Sequence, residues 1–209
     1  MATTKKQRIG IWIITAFMAV GTIGSFGMIV LSTINSQKDQ ARLNELAAQY
    51  QAAEDKQTKE LSTKYFDTFN AFSSRVGEFD ASAVTELKTE DLVAGTGDAI
   101  TSNSSFSAYY IGWLPNGTTF DSSISDGALK APLSVAPGSV ITGWTKGVDG
   151  MKVGGVRELT IPSDLAYGEA GQGSIPANTP LKFVIMIIPT PDAVAMPDEL
   201  VKYYQTGSL

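Results

Sequence analysis

The chain has 209 residues, with 16 Lys and Arg against 21 Asp and Glu and a net charge of −5. It contains no cysteine and no histidine, which excludes disulfides, thiol nucleophiles, His-based triads and Cys or His metal sites. Nucleic-acid binding is disfavoured as well, because phosphate contacts need Lys and Arg in numbers and the only basic cluster sits at the extreme N-terminus.

Residues 1–8 form a basic tip carrying Lys5, Lys6 and Arg8, and no charge follows from Ile9 to Gln37. Residues 9–34 are expected to form a single transmembrane helix, since an uncharged apolar run of about 20 residues matches the hydrocarbon core of a bilayer. A cleaved signal peptide is the alternative. It would have an apolar stretch of only ~7–15 residues and a small-residue cleavage site after it, and Ser32-Thr-Ile-Asn-Ser36 offers no good one. The basic tip favours the cytoplasmic side, sending the remainder across, although Lys38 and Arg42 on the far side oppose this. The expected location is the cell membrane, single-pass, with the folded domain extracytoplasmic and the lipid bilayer as the partner of 9–34.

Residues 35–77 read as a helical stalk. Leu43, Leu46, Ala47, Tyr50 and Ala53 keep helical spacing, and so do Leu61, Tyr65, Phe69, Phe72 and Val76. One reading is a solvated spacer. The other makes Tyr65, Phe66, Phe69 and Phe72 an adhesive face, for clients or for the domain that follows. Residues 78–90 are expected to be a linker, 91–189 a domain, and 190–209 a mobile C-terminal tail with a short helical turn.

Within 91–189, Ala108–Trp113 and Thr118–Ser122 bracket Leu114-Pro-Asn-Gly117, and Asn-Gly between such runs predicts a hairpin, because both residues tolerate positive φ. Val140, Ile141, Trp144, Val148 and Met151 share the spacing of one helical face, interrupted by Gly143, Gly147 and Gly150. Each glycine weakens an isolated helix by roughly 1 kcal/mol against Ala, so the segment needs a sheet wrapped close around it. Val156–Ile161 and Leu181–Ile187 read as strands, with a Gly-rich loop, Glu169–Ser174, between them.

Tyr110-Ile-Gly112, Phe120-Asp-Ser-Ser123, Val140-Ile-Thr-Gly-Trp144, Leu165-Ala-Tyr-Gly168, Ile175-Pro176 and Leu181-Lys-Phe183 stand in the order and spacing of a known family. Over roughly Asp91 to Pro189 the chain resembles the FKBP-type peptidyl-prolyl cis–trans isomerases. The resemblance implies an α+β fold, an antiparallel sheet curled around a short helix with an apolar pocket between them. It implies isomerisation of X–Pro bonds, no cofactor and no metal. Tyr110, Asp121, Ile141 and Tyr167 would be the catalytic residues, while Phe120, Val140, Trp144, Ile175 and Phe183 would bind substrate. Ala131–Val135 departs from the family pattern, offering Leu133 or Val135 where a Phe is usual, which thins one aromatic wall.

Asp121 has a second reading, as a cap of the Ser122-Ser123 turn, and Tyr167 has one as a core ring with its hydroxyl satisfied locally. The expected partners are unfolded or exported proline-containing polypeptides, with macrolides as candidate ligands and no nucleic acid. The alternative function is a membrane-tethered chaperone or peptide-binding module with little isomerase activity.

Overall fold

The computed structural model describes residues 37–207, so the expected basic tip and the expected anchor over 9–34 lie outside the described residues. Among the described residues no helix is long and apolar enough to cross a membrane. They fall into two compact units, one holding 37–57 and 192–207, the other 58–191.

Helix α1, Gln37–Asn70, contributes to both units. In the first unit Leu43 and Leu46 pack with Leu200 and Tyr203 of a C-terminal helix that runs Asp198–Thr206. Arg42 Nε lies 3.2 Å from Glu199 Oε2, an exposed pair of small energetic weight. The expected tail carries its helical turn, and two of its apolar residues, Leu200 and Tyr203, are buried against α1.

The second unit is built on a six-stranded antiparallel sheet. Its strands are β1 (Lys88–Val93), β2 (Phe106–Trp113), β3 (Thr119–Ser122), β6 (Leu133–Val135), β7 (Val156–Ile161) and β8 (Leu181–Ile188). The order is β1-β7-β8-β2-β3, and β6 continues the β3 edge by pairing with the first residues of β2. Between β3 and β6 a small separate hairpin, β4 (Ile124–Ser125) with β5 (Ala128–Leu129), projects from that edge. Helix α2 covers only Thr142–Gly147, shorter than the apolar spacing suggested.

Alternation along β2 and β8 sends Ala108, Tyr110, Phe183, Ile185 and Ile187 to one face, where they meet Trp144, Val148 and Met151. A β-carbon on Gly143 would lie 2.3 Å from Ile161 Cγ2, and one on Gly147 2.7 Å from Leu159 Cδ1. These two glycines let α2 lie directly on β7, as the sequence suggested.

Tyr109, Ile111, Trp113, Val184, Met186 and Ile188 occupy the opposite face, and the end of α1 covers it. Phe69 is fully buried there, with Tyr65, Phe66 and Phe72 half-buried beside it. The rings of Tyr65 and Phe69 lie 6.2 and 6.1 Å from that of Tyr109. The aromatic end of the expected stalk is thus neither a solvated spacer nor a free client surface; its partner is the back of the sheet. The short 3-10 turn that follows, Ala71–Arg75, is fastened by charge. Glu158, 4% exposed, accepts from Arg75 Nε at 2.7 Å and from Lys182 Nζ at 2.8 Å.

The β2–β3 connection is the expected hairpin. Gly117 N–H donates to Leu114 O at 2.9 Å, and Gly117 alone of the Asn-Gly pair is left-handed, at φ 77°. Asn116 keeps a negative φ and uses its side chain, Oδ1 accepting from Thr118 N–H at 3.0 Å. With Pro115 at the first central position, the loop is a type I turn closed by a left-handed glycine, the commonest three-residue hairpin connection.

Candidate active site

Eight of the nine expected residues belong to the α2-facing cluster, and the ninth, Asp121, is hydrogen-bonded to one of them, Tyr110. Tyr110 comes from β2 and Phe120 and Asp121 from β3, while Val140 and Ile141 immediately precede α2 and Trp144 lies within it. Tyr167 and Ile175 come from the β7–β8 connection and Phe183 from β8. Trp144 and Phe183 are each 3% exposed and Ile175 6%, forming the floor; Tyr110, Phe120, Val140, Ile141 and Tyr167 are half-buried around it.

The rings meet edge to face. Trp144 lies 5.3 Å from Phe183 and 5.3 Å from Tyr110, and Phe120 lies 5.5 Å from Phe183, with interplanar angles of 88°, 79° and 87°. Such contacts each add ~0.5–1.5 kcal/mol beyond burial, so the floor is stiff. It is also a packing that only glycine at position 112 permits. A β-carbon there would stand 2.6 Å from Phe183 Cε1 and 2.7 Å from Phe120 Cζ. Gly112, one of the residues that carry the family resemblance, makes room for both rings.

The polar edge is organised by Asp121. The Tyr110 hydroxyl donates to Asp121 Oδ2, and Asp121 Oδ1 accepts from Ser122 N–H at 2.8 Å. Asp121 thus caps the Ser122-Ser123 turn with one oxygen and holds the Tyr110 hydroxyl with the other. Ser123, buried, ties the strand back to β2: Tyr110 N–H donates to its Oγ at 3.0 Å, and its own N–H donates to Tyr110 O at 2.8 Å. Burial, then the Asp121 hydrogen bond and charge, pushes the Tyr110 phenol far above its ordinary value. Burial, then the Asp121 charge, raises Tyr167 as well. Both hydroxyls stay protonated at neutral pH, with the Tyr110 proton given to Asp121.

Ile141 sits just outside α2. Its carbonyl accepts from Trp144 and Thr145 N–H, at 3.0 and 3.2 Å, while its own N–H has no acceptor among the described residues. Ile175 is fixed by mutual backbone bonds with Gln172, at 2.8 and 2.9 Å. Of the two candidates for the thinned wall, Leu133 stands half-buried against the cluster and Val135 is fully buried. Among the described residues no group of Asp and Glu is arranged to hold a metal.

A family model described as "FKBP-type peptidyl-prolyl cis-trans isomerase" matches residues 97–188. The chain is similar to the "FK506-binding protein" of Neisseria meningitidis serogroup A, with 42% identity over 103 residues, 49% of this chain and 94% of that one. It is similar to the "FKBP-type peptidyl-prolyl cis-trans isomerase FkpA" of Aeromonas hydrophila, with 31% identity over 189 residues, 88% of this chain and 68% of that one. It is also similar to the "FK506-binding protein 4" of Dictyostelium discoideum, with 48% identity over 105 residues, 49% of this chain but only 28% of that longer protein.

Proposed function

This chain belongs to the FKBP-type peptidyl-prolyl cis–trans isomerases, and we propose that the aromatic site between α2 and the sheet is where it turns the X–Pro bonds of unfolded or exported protein chains. The barrier to that rotation, about 18–20 kcal/mol, comes from amide resonance, so no nucleophile and no proton relay is required. What is required is a surface that binds the twisted amide better than either planar form. A twisted amide has lost its charge separation, and an aromatic floor that excludes water favours it over the more polar planar states.

In this reading Trp144 supports the prolyl ring, with Phe120, Phe183, Val140 and Ile141 as walls and Ile175 closing one side. The Ile141 N–H and the Tyr167 hydroxyl hold substrate carbonyls. Tyr110 and Asp121 shape the side facing the carbonyl of the rotating bond, and a macrolide such as FK506 would compete for the same floor. The observation that carries the reading is the Tyr110–Asp121 hydrogen bond standing at the rim of the three edge-to-face ring contacts. The uncharged run Ile9–Gln37 supports tethering of the enzyme to a membrane, with its domain on the extracytoplasmic side.

The test is isomerisation of a short Leu-Pro peptide by the full chain, beside Asp121→Ala and Trp144→Leu. A folded Trp144→Leu variant with undiminished kcat/KM would remove the aromatic floor from the mechanism. Fractionation of cells expressing the chain, followed by a protease added from outside, tests the anchor and its orientation.

A further inference from the structure

We propose that Ser62, on α1 and outside the family-matched segment, is a positioning residue that holds the Asp121 carboxylate on Tyr110 by clamping the β4–β5 hairpin. The inference rests on the reading of Asp121 as part of the site.

The hairpin begins at Ile124, three residues after Asp121, and it belongs to no other sheet. It pairs only with itself, Ile124 with Leu129 and Ser125 with Ala128. Its return strand is tied to the Asp121 segment, since Lys130 N–H donates to Ser123 O at 2.8 Å and Lys130 Nζ donates to Ser122 O at 2.9 Å. On the far side Leu129 N–H donates to Ser62 Oγ at 2.9 Å. Leu129 is 3% exposed and Ser62 9%, so water does not readily replace that acceptor.

A buried amide left without an acceptor costs ~1–3 kcal/mol, enough to make a two-stranded hairpin shift until another acceptor is found. A shift of Leu129 moves Lys130, and with it the carbonyls of Ser122 and Ser123 that follow Asp121 directly. The contacts are continuous from the helix to the carboxylate.

The competing role for Ser62 is plain satisfaction of a buried amide, which would affect stability and leave turnover alone. The experiment compares Ser62→Ala, Ser62→Cys and Ser62→Thr in the full chain, each alone and combined with Asp121→Asn. It reads kcat and KM on a Leu-Pro peptide together with the melting temperature. Cys keeps nearly the volume of Ser but is a weak acceptor, and Thr keeps the hydroxyl; the Cys variant carries the test if the Ala variant fails to fold. The expected result is a loss of kcat of roughly three- to tenfold in the Ala and Cys variants, with KM little changed. Thr should restore turnover, and no further loss should follow on the Asp121→Asn background. Undiminished kcat in Ser62→Cys, or losses that multiply with Asp121→Asn, overturns the clamp while the site stands. Undiminished kcat in Asp121→Asn alone overturns the site reading and the clamp with it.

Discussion

The hydroxyl of Tyr110 is spent on the carboxylate of Asp121, across the β2–β3 pair and 11 residues away in sequence. Because the two side chains form one unit, Tyr110→Phe and Asp121→Asn are expected to lower kcat/KM by similar amounts, about tenfold each, the kinetic equivalent of ~1.4 kcal/mol. The double variant should be little worse than either single one. Steady-state kinetics on all three decides it, and fully multiplicative losses would mean that the residues act separately.

Gly112→Ala places a methyl group where the edges of Phe120 and Phe183 now lie. The rings must rotate out of their edge-to-face packing, at a cost of ~1–3 kcal/mol in stability. The site floor deforms with them, so KM for a Leu-Pro peptide should rise more than the melting temperature alone would explain.

Phe69 is fully buried, although it belongs to the helix that precedes the family-matched domain. Phe69→Ala should destabilise unit 58–191 by ~3–5 kcal/mol, as for any large core ring. Chemical denaturation of the full chain measures this. A change below ~0.5 kcal/mol, the range of ordinary surface sites, would mean the helix end is detached from the sheet in solution.

Tyr109 is buried on the same face and its hydroxyl has no hydrogen-bond partner among the described residues. Removing it in Tyr109→Phe should leave stability unchanged or raise it by ~1 kcal/mol, since an unpaired buried hydroxyl is a cost. Burial, aided by the neighbouring Tyr65, pushes its phenol up to about 12. An unfolded chain releases that proton near pH 10 while the fold retains it, so the raised value has no effect on stability below about pH 10 and lowers it as pH rises towards 12. Denaturation midpoints between pH 9 and about 12 should fall less steeply in Tyr109→Phe than in the parent. Tyr110 and Tyr167, whose phenols are also raised, keep part of the decline.

The candidate site was legible only through the resemblance, carried by short local words such as Phe120-Asp121, Val140-Ile141 and Leu165–Gly168, because the contacts that join those words are set by the fold and not by neighbours in sequence. The helix end was legible as a face but not as a contact: Leu61, Tyr65, Phe69 and Phe72 announce an apolar stripe without saying what covers it. The missing signal lay elsewhere, in β8. Its run Phe183-Val-Ile-Met-Ile-Ile188 is apolar on both sides, which calls for cover on both sides. Asp126-Gly127, with φ of 51° and 74°, likewise marked a tight turn that the sequence reading passed over. The Ser62 contact had no sequence signal at all, because a hydroxyl on a helix names no acceptor or donor 67 residues away.

The cover over the back of the sheet also sets how this protein can be cut. A protease that removed the chain up to the start of the family match would not release a smaller working enzyme. It would bare Tyr109, Ile111, Trp113, Val184 and Met186 together, a contiguous oily surface of the kind that drives self-association. The shortest piece expected to survive in solution therefore begins near Thr58, where the compact unit begins, well before residue 97, where the family match begins. Any cleavage that leaves this unit intact would have to fall upstream of that point.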